Sequence, residues 1–422
     1  MKIAFLSDFH LGFLQHGREN EAFENAFNAM KLALEKGAEL LVIAGDIFDS
    51  ETPDAEVLLQ AFSIFSLARN ASEKVTKIKK VGRKQTCEIL LKGVPIIAIH
   101  GTHEFRTRDY ANYLQLYEKA GFIAYLHAEK AIIETKGEKI AVHGLGGVPE
   151  KKALDALKMW DPKPEPNAFN VLVLHQSFKE FLPFEDEMIA TLTIDALPDG
   201  FDIIVDGHLH WQNEIKEGKK HLILPGSTIL TQMKRLESKK PKGIYIMDTR
   251  AKSLEFFSLP GQRQFIYEKL EFENAEIKDV LESLRNALLK IVSVSYDKKP
   301  LVKIKLLGSL AKGYGPENLN VQEIIKEFED KAIISVDVEF FQQAFTKRLA
   351  ELSTIQQEKR SIVELGYEIL EKNLAETNFN NAFDVRRLFK LLEEDDIDKA
   401  KEYLATLEES QSKAEKKASE KT

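Results

Sequence analysis

Leu40-Leu41-Val42-Ile43-Ala44-Gly45-Asp46-Ile47-Phe48-Asp49 is a short apolar run that stops at a glycine and releases an aspartate. Unbroken apolar character bounded by Gly reads as a strand buried on both faces, the pattern of parallel sheets, with Asp46 at its C-terminal end. In α/β sheets that edge holds ligands, because the loops leaving it diverge and open a crevice. Other runs end the same way. Lys2 to Ser7 delivers Asp8-Phe9-His10, and Pro95 to Ile99 delivers His100-Gly101-Thr102-His103-Glu104. Val171 to Leu174 leads to His175, and Phe201 to Val205 leads to Asp206-Gly207-His208-Leu209-His210.

Between these strands lie helical patterns. Phe23, Phe27, Met30 and Leu34 recur at helical spacing before Gly37, and Asp54 can cap a helix carrying Val57, Leu58, Ala61, Phe62 and Phe65. Tyr110, Tyr113, Leu114 and Tyr117 mark another. Lys74, Lys77, Lys79, Lys80, Arg83 and Lys84 form a basic stretch that reads as a solvated face or loop, with phosphate contact as the alternative. The strand-plus-ligand grammar stops near Arg263. Residues 264–345 then read strand, helix, strand, helix, strand without a catalytic cluster. A charged helical linker follows over 346–378. Two short amphipathic helices over 379–409 carry Val385, Leu388, Phe389 and Leu392, then Ile397, Tyr403 and Leu404. Isolated helices of that length are marginal, so their stripes need another surface, preferably a partner's. Residues 410–422, rich in Lys, Glu and Ser, are expected to be disordered.

At 422 residues two or three domains are expected, and 44% hydrophobic residues suffice for a sizeable core. No apolar stretch has the length of a membrane span, and Met1 runs directly into a strand, so a cytoplasmic, nucleoid-associated protein is expected. The single cysteine, Cys87, excludes a disulfide framework and a cysteine-rich zinc site, and reads as a small buried hydrophobe. A net charge of -8 argues against wholesale coating of nucleic acid but leaves room for a local basic surface.

Asp8, His10, Asp46, His103, His175, His208 and His210 thus follow five separate strands. Asp8 and His10, two apart in extended backbone, share a face. Taken alone that pair also reads as a capping Asp and a part-buried His, and His175 alone as a structural residue. Gly-x-His-x-His is stronger, because two adjacent imidazoles repel when charged and gain most as neutral ligands. Imidazole and carboxylate without thiolate suit Mn, Fe or Zn. The set is large enough for two ions sharing a carboxylate, which at about 3.5–4 Å apart can activate water and clamp a phosphoryl group.

In this order the motifs resemble the calcineurin-like metallophosphoesterases: Asp-x-His, Gly-Asp-x-x-Asp, Gly-Asn-His-Asp/Glu, a lone His, then Gly-His-x-His. The resemblance implies an α/β sandwich of two mixed sheets flanked by helices. It further implies one metal on Asp8, His10, Asp46 and His210, and a second on Asp46, His175, His208 and position 102. His103 would face the phosphate with Glu104 orienting it, and Asp49 would stand behind the ligands. His100, His127, His143 and His221 are left as structural, and His16 as a candidate substrate contact.

The order of parts is similar to that of the Mre eleven and SbcD family of double-strand-break repair nucleases. That resemblance implies a nuclease domain over 1–263, a small α/β capping domain over 264–345, and a tail that binds a Rad fifty type ATPase. Also implied are two Mn2+ ions, DNA ends and single-stranded DNA as substrates, and single-strand endonuclease and 3'-5' exonuclease activity. Homodimerisation is implied through the helices near Val57 to Phe65 and Tyr110 to Tyr117. Thr102 stands where the family has asparagine. A hydroxyl is shorter and a poorer neutral ligand, so a more loosely held second ion is expected. The alternatives are a small-substrate phosphatase or cyclic-nucleotide phosphodiesterase, and a DNA-end-binding scaffold with weak nuclease activity.

Overall fold

The computed structural model describes residues 1–83, 85–105, 111–135, 137–181, 192–340 and, beyond these, 367, 370, 371, 384, 386–388, 401 and 403. The chain begins β1 (Lys2–Leu6), α1 (Glu21–Glu35), β2 (Leu40–Ala44), α2 (Ala55–Arg69), β3 (Val75–Val81), β4 (Thr86–Lys92), β5 (Ile96–Ile99), α3 (Tyr113–Lys119) and β6 (Ala124–Tyr125). It continues through β7 (Glu129–Thr135), β8 (Glu138–Gly144), α4 (Glu150–Trp160), β9 (Phe169–Leu174), β10 (Ile203–Asp206), β11 (Asn213–Glu217), β12 (Lys220–Leu224), β13 (Gly243–Asp248) and β14 (Ser253–Ser258). After these come β15 (Phe265–Ala275), α5 (Ile277–Val292), β16 (Leu301–Leu310), α6 (Val321–Lys326) and β17 (Ile333–Phe340).

Two mixed sheets carry the first part. One has the order β14-β13-β1-β2-β5-β6, the other β11-β12-β10-β9-β8-β7-β3-β4. In the first, β1, β2, β5 and β6 run parallel; in the second, β8, β9, β10 and β12 do. Side chains alternate across each strand, so every core strand feeds two interiors. Ile3, Phe5, Leu40, Val42, Ile97 and Ile99 of one sheet pack with Ile140, Val142, Val171, Val173, Ile203 and Val205 of the other. The opposite residues of the first sheet, Ala4, Leu6, Leu41 and Ile43, pack with Ala26, Met30, Ala61 and Phe65 of α1 and α2. On the far side Leu172, Leu174 and Ile204 pack with Ala153 and Leu157 of α4. The result is a helix-sheet-sheet-helix sandwich, in which β2 is buried along its whole length.

The structure refines two sequence expectations and overturns the burial of Cys87. Lys77, Lys79 and Lys80 of the basic stretch lie on β3 of the β3–β4 hairpin, where Lys77 and Lys79 form a solvated face while Thr76, Ile78 and Lys80 turn inward. Lys80 is drawn in because Glu118 and Glu129 receive its ammonium at 2.9 and 3.2 Å. Cys87 is exposed, since it lies on β4 at the sheet's edge. The third helix starts at Tyr113, capped by the Asn112 side chain accepting from Leu114 N–H, and Tyr110 lies outside the described residues.

The chain divides into two compact units: Met1–Glu268 with Asn286–Ile304 and Gln322–Val336, and Lys269–Arg285 with Lys305–Val321 and Asp337–Thr422. Strands β15, β16 and β17 form a three-stranded sheet in that order. The linker residues Ile362, Leu365 and Ile369 lie outside the described residues, as do Val385, Phe389, Leu392, Ile397, Leu404 and 410–422.

Candidate metal centre

Parallel strands β1, β2, β9 and β10 release their C-terminal loops at one edge of the sandwich. The loops are stitched together there by main-chain hydrogen bonds from Asp8 N–H to Gly45 O (3.0 Å), His10 N–H to Asp46 O (3.0 Å) and Gly207 N–H to Leu174 O (3.0 Å). Asp8, His10, Asp46 and His208 all take left-handed backbone, with φ of 51°, 48°, 46° and 75°. Non-glycine residues there carry strain, which is tolerated where surrounding structure over-determines the conformation and which clusters at functional sites. Asp8 and His10 therefore converge through a strained turn, not through the alternation of a straight strand.

Close packing excludes larger residues between the loops. A Cβ on Gly101 would collide with the Asp46 carboxylate. One on Gly207 would run into the Ala44 carbonyl and come within 2.6 Å of Ser7 Oγ.

Among the described residues three groups of ligand-type atoms result, the atoms of each lying within 4.8 Å of one another: Asp8, His10 and His210; Asp46, His175 and His208; and His10, Asp49 and His103. In the first, His10 Nε2 and His210 Nε2 stand 3.2 Å apart, with Asp8 Oδ1 at 4.0 and 3.9 Å. In the second, His175 Nε2 lies 3.1 Å from Asp46 Oδ2. Asp46 belongs to the second group, and its carbonyl also accepts from the His10 N–H of the first at 3.0 Å.

Acceptors behind the rings set the tautomers. Asp49 Oδ1 takes His10 Nδ1–H at 2.8 Å, and the Ala44 carbonyl takes His175 Nδ1–H at 2.7 Å. The Asp49 carbonyl takes His103 Nδ1–H at 2.9 Å. Carbonyls and carboxylates only accept, so each Nε2 is left with its lone pair toward the site when the ring is neutral. The His10 lone pair faces His210 Nε2 at 3.2 Å, and two unprotonated nitrogens at that distance repel unless a cation lies between them. This donor chemistry fits a divalent ion.

Charge follows the same logic. Burial raises the Asp8 carboxyl to about 6, opposed by His175. Burial works against charge on both Asp46 and His175, yet their mutual attraction wins: Asp46 lies well below the carboxylate range and His175 rises to about 10. His208 is held at about 4 by burial and the neighbouring His175, and His210 well below its usual value by burial and His10.

Thr102 and His103 are exposed, His208 is partly so, and Asp8, His10, Asp46, His175 and His210 are buried. Thr102 Oγ1 lies 3.4 Å from Asp46 Oδ2, and His103 N–H donates to Asp46 Oδ1 at 2.9 Å. Glu104, expected to orient His103, instead accepts from Phe48 N–H (2.8 Å) and Gly101 N–H (2.9 Å), tying two ligand loops together. Its carboxyl is raised to about 8 by burial, then by the Asp46 charge. Asp49 orients His103 in its place. His100 is bonded to Tyr125 and Gly147, His143 to Asn170 and His221 to Glu214, while His16 lies in solvent. Thr231, whose hydroxyl meets His210 Nδ1 at 2.7 Å, carried no signal in the sequence because nothing local announces its partner.

The profile of the calcineurin-like phosphoesterases matches residues 1–212. Among curated proteins, the DNA double-strand break repair protein Mre11 of Methanopyrus kandleri is 26% identical over 317 residues, covering 69% of this chain and 64% of that protein. The Mre11 of Sulfurisphaera tokodaii is 24% identical, covering 76% of each. Human double-strand break repair protein MRE11 is 23% identical, covering 81% of this chain and 54% of its own length. The chain thus spans less than two thirds of the Methanopyrus and human relatives. Among the described residues no helix is long and apolar enough to cross a membrane. With the whole strand-end ligand set, from Asp8 to His210, falling within the matched stretch, this chain belongs to the calcineurin-like phosphoesterases, a family that binds divalent metals.

Proposed function

We propose that this chain is the nuclease subunit of a DNA double-strand-break repair complex, hydrolysing phosphodiester bonds with two Mn2+ ions. The observation that carries the reading is the convergence of Asp8, His10 and His210 beside Asp46, His175 and His208, with half-exposed His103 at their rim. Asp8, His10 and His210 would hold one ion and Asp46, His175 and His208 the other, with the Asp46 carboxylate available to both and Thr102 beside the second. When bound, the ions polarise a phosphate and lower the pKa of water. His103 is pinned through Nδ1 by the Asp49 carbonyl and through its N–H by Asp46, which leaves Nε2 for another partner. An imidazolium there donates to a phosphate oxygen and can pass its proton to the leaving oxygen.

Relatives named for double-strand-break repair favour DNA over a small phosphoester. By the same reading, residues 1–263 form the nuclease domain, 264–345 cap it, and 346–378 link it to 379–409, which bind a Rad fifty type ATPase. The chain pairs with a second copy through α2 and α3. Strand nicking and end resection, with and without Mn2+, test the function, with bis(p-nitrophenyl) phosphate as small substrate. Mn2+-dependent cleavage of single-stranded DNA and of double-stranded ends is expected. Turnover of the small diester alone, with DNA untouched, would replace the nuclease reading by a phosphodiesterase.

A further inference from the structure

Lys242 immediately precedes β13, and its side chain is only 4% exposed. An ammonium has three protons to donate. All three are used: Nζ donates to His210 O at 2.6 Å, Ser227 Oγ at 2.8 Å and Glu237 Oε1 at 2.7 Å. The Glu237 side chain is 1% exposed, so this is an ion pair sealed from water. The backbone of Lys242 is pinned as well, its N–H to Gln262 Oε1 at 2.8 Å and its carbonyl from Gln262 Nε2 at 2.6 Å.

The loop between β12 and β13 that Lys242 grips is the one that holds the first ligand group. Ser227 N–H donates to the same His210 carbonyl at 3.2 Å, and Thr228 N–H to the Asp8 carbonyl at 3.2 Å. Thr231 meets the His210 ring at Nδ1. Asn25 Nδ2 anchors the loop from α1 through the Thr228 carbonyl at 2.9 Å. One ammonium therefore ties the main chain of a ligand histidine to a loop that fixes both that ring and the aspartate beside it.

A buried ion pair is weak grounds for stability, since desolvation offsets much of the attraction and apolar replacements often fold as well. Its geometric effect is specific. We propose that Lys242 is a positioning residue for the metal group of Asp8, His10 and His210, acting through the His210 carbonyl and the 227–231 loop. The proposal rests on the metal-centre reading above. Partners that orient metal-ligating histidines typically contribute 10- to 100-fold to affinity, and Lys242 is assigned an effect of that size.

The test is Mn2+ titration by calorimetry or electron paramagnetic resonance, with thermal melts alongside. Lys242→Met alone leaves Glu237 buried and unpaired and can fail to fold, so Lys242→Met/Glu237→Leu is made beside it. Each is placed in a His208→Ala background, where the first group reports alone, and in a His210→Ala background, where the second does. The double variant is expected to melt close to its parent and to bind Mn2+ about 10- to 100-fold more weakly in the first background. In the second background it should match its parent. Unchanged affinity in the first background overturns the assignment, and so does equal weakening in both, which would mean a general loss of structure. A wild-type protein that binds no Mn2+ overturns the metal centre itself and this role with it.

Discussion

At the scale of single residues, the site is decided by atoms that cannot be exchanged for similar ones. Thr102 stands where the motif carries asparagine, and its hydroxyl lies 3.4 Å from Asp46 Oδ2. Thr102→Asn is expected to tighten the weaker of two Mn2+ affinities and to raise cleavage at limiting metal. Calorimetry showing equal affinities in the wild type, unchanged by the substitution, would mean the hydroxyl costs the site nothing. His103→Ala should lower DNA cleavage by about 100-fold or more while Mn2+ and DNA binding persist, because its ring completes neither buried group. Single-turnover assays near the wild-type rate would remove His103 from the chemistry. Gly207→Ala tests close packing: the added methyl meets the Ala44 carbonyl that orients His175. Overpacking of this kind typically costs about 1–3 kcal/mol, and here loss of Mn2+ affinity at the second group should accompany the lower melting point.

At the scale of elements, charge placement explains what hydrophobic pattern misses. The β3–β4 hairpin alternates correctly for a strand, but its lysines disguise the alternation, and only Glu118 and Glu129 make an inward Lys80 tolerable. Cys87 on the edge strand should react with a maleimide in the native protein without denaturant, and protection from labelling would contradict its exposed placement. On the neighbouring strands, Lys130 and Lys139 both reach Glu165, at 2.6 and 2.7 Å. Hydrogen bonds from Lys130 and then Lys139 hold the Glu165 carboxyl down at about 2 against a model-compound value of 4.5. A depressed carboxylate stabilises the fold fully above its unfolded pKa and loses that contribution as pH falls through the folded one. Glu165→Gln should therefore cost about 1–2 kcal/mol at pH 7, after allowing for solvent at a side chain 17% exposed. The deficit should shrink as pH falls below about 4.5 and vanish near 2. Urea midpoints of the two proteins at pH 7 and pH 3 check both size and sign; a deficit independent of pH would assign the loss to packing.

At the scale of the whole molecule, the proposed partner segment lies almost wholly beyond the described residues, and its role rests on the apolar stripe of Val385, Leu388, Phe389 and Leu392. Deleting residues 379–422 is expected to abolish co-purification with a Rad fifty type ATPase and to leave single-stranded DNA cleavage intact, since a few apolar anchors carry most of a groove-bound helix's affinity. Survival of the complex after the deletion would make the tail a self-docking element.

The sequence by itself determined the strand order of the ligands and most of the core. Runs such as Leu40 to Ala44 are apolar on both faces, and a residue leaving their C-terminal end has only one place to go. Asp49 was placed behind the ligands by its motif, but tertiary structure alone decided which rings it meets and most of what else stands there. Asp49 orients His10 and His103, Glu104 ties Phe48 to Gly101, Thr231 meets His210, and Lys242 joins His210 to Ser227 and Glu237. Most of these partners lie on loops far apart in the chain. A polar residue's spacing says what it could bond, but which acceptor it meets depends on how two sheets and their loops pack, and local pattern does not encode that.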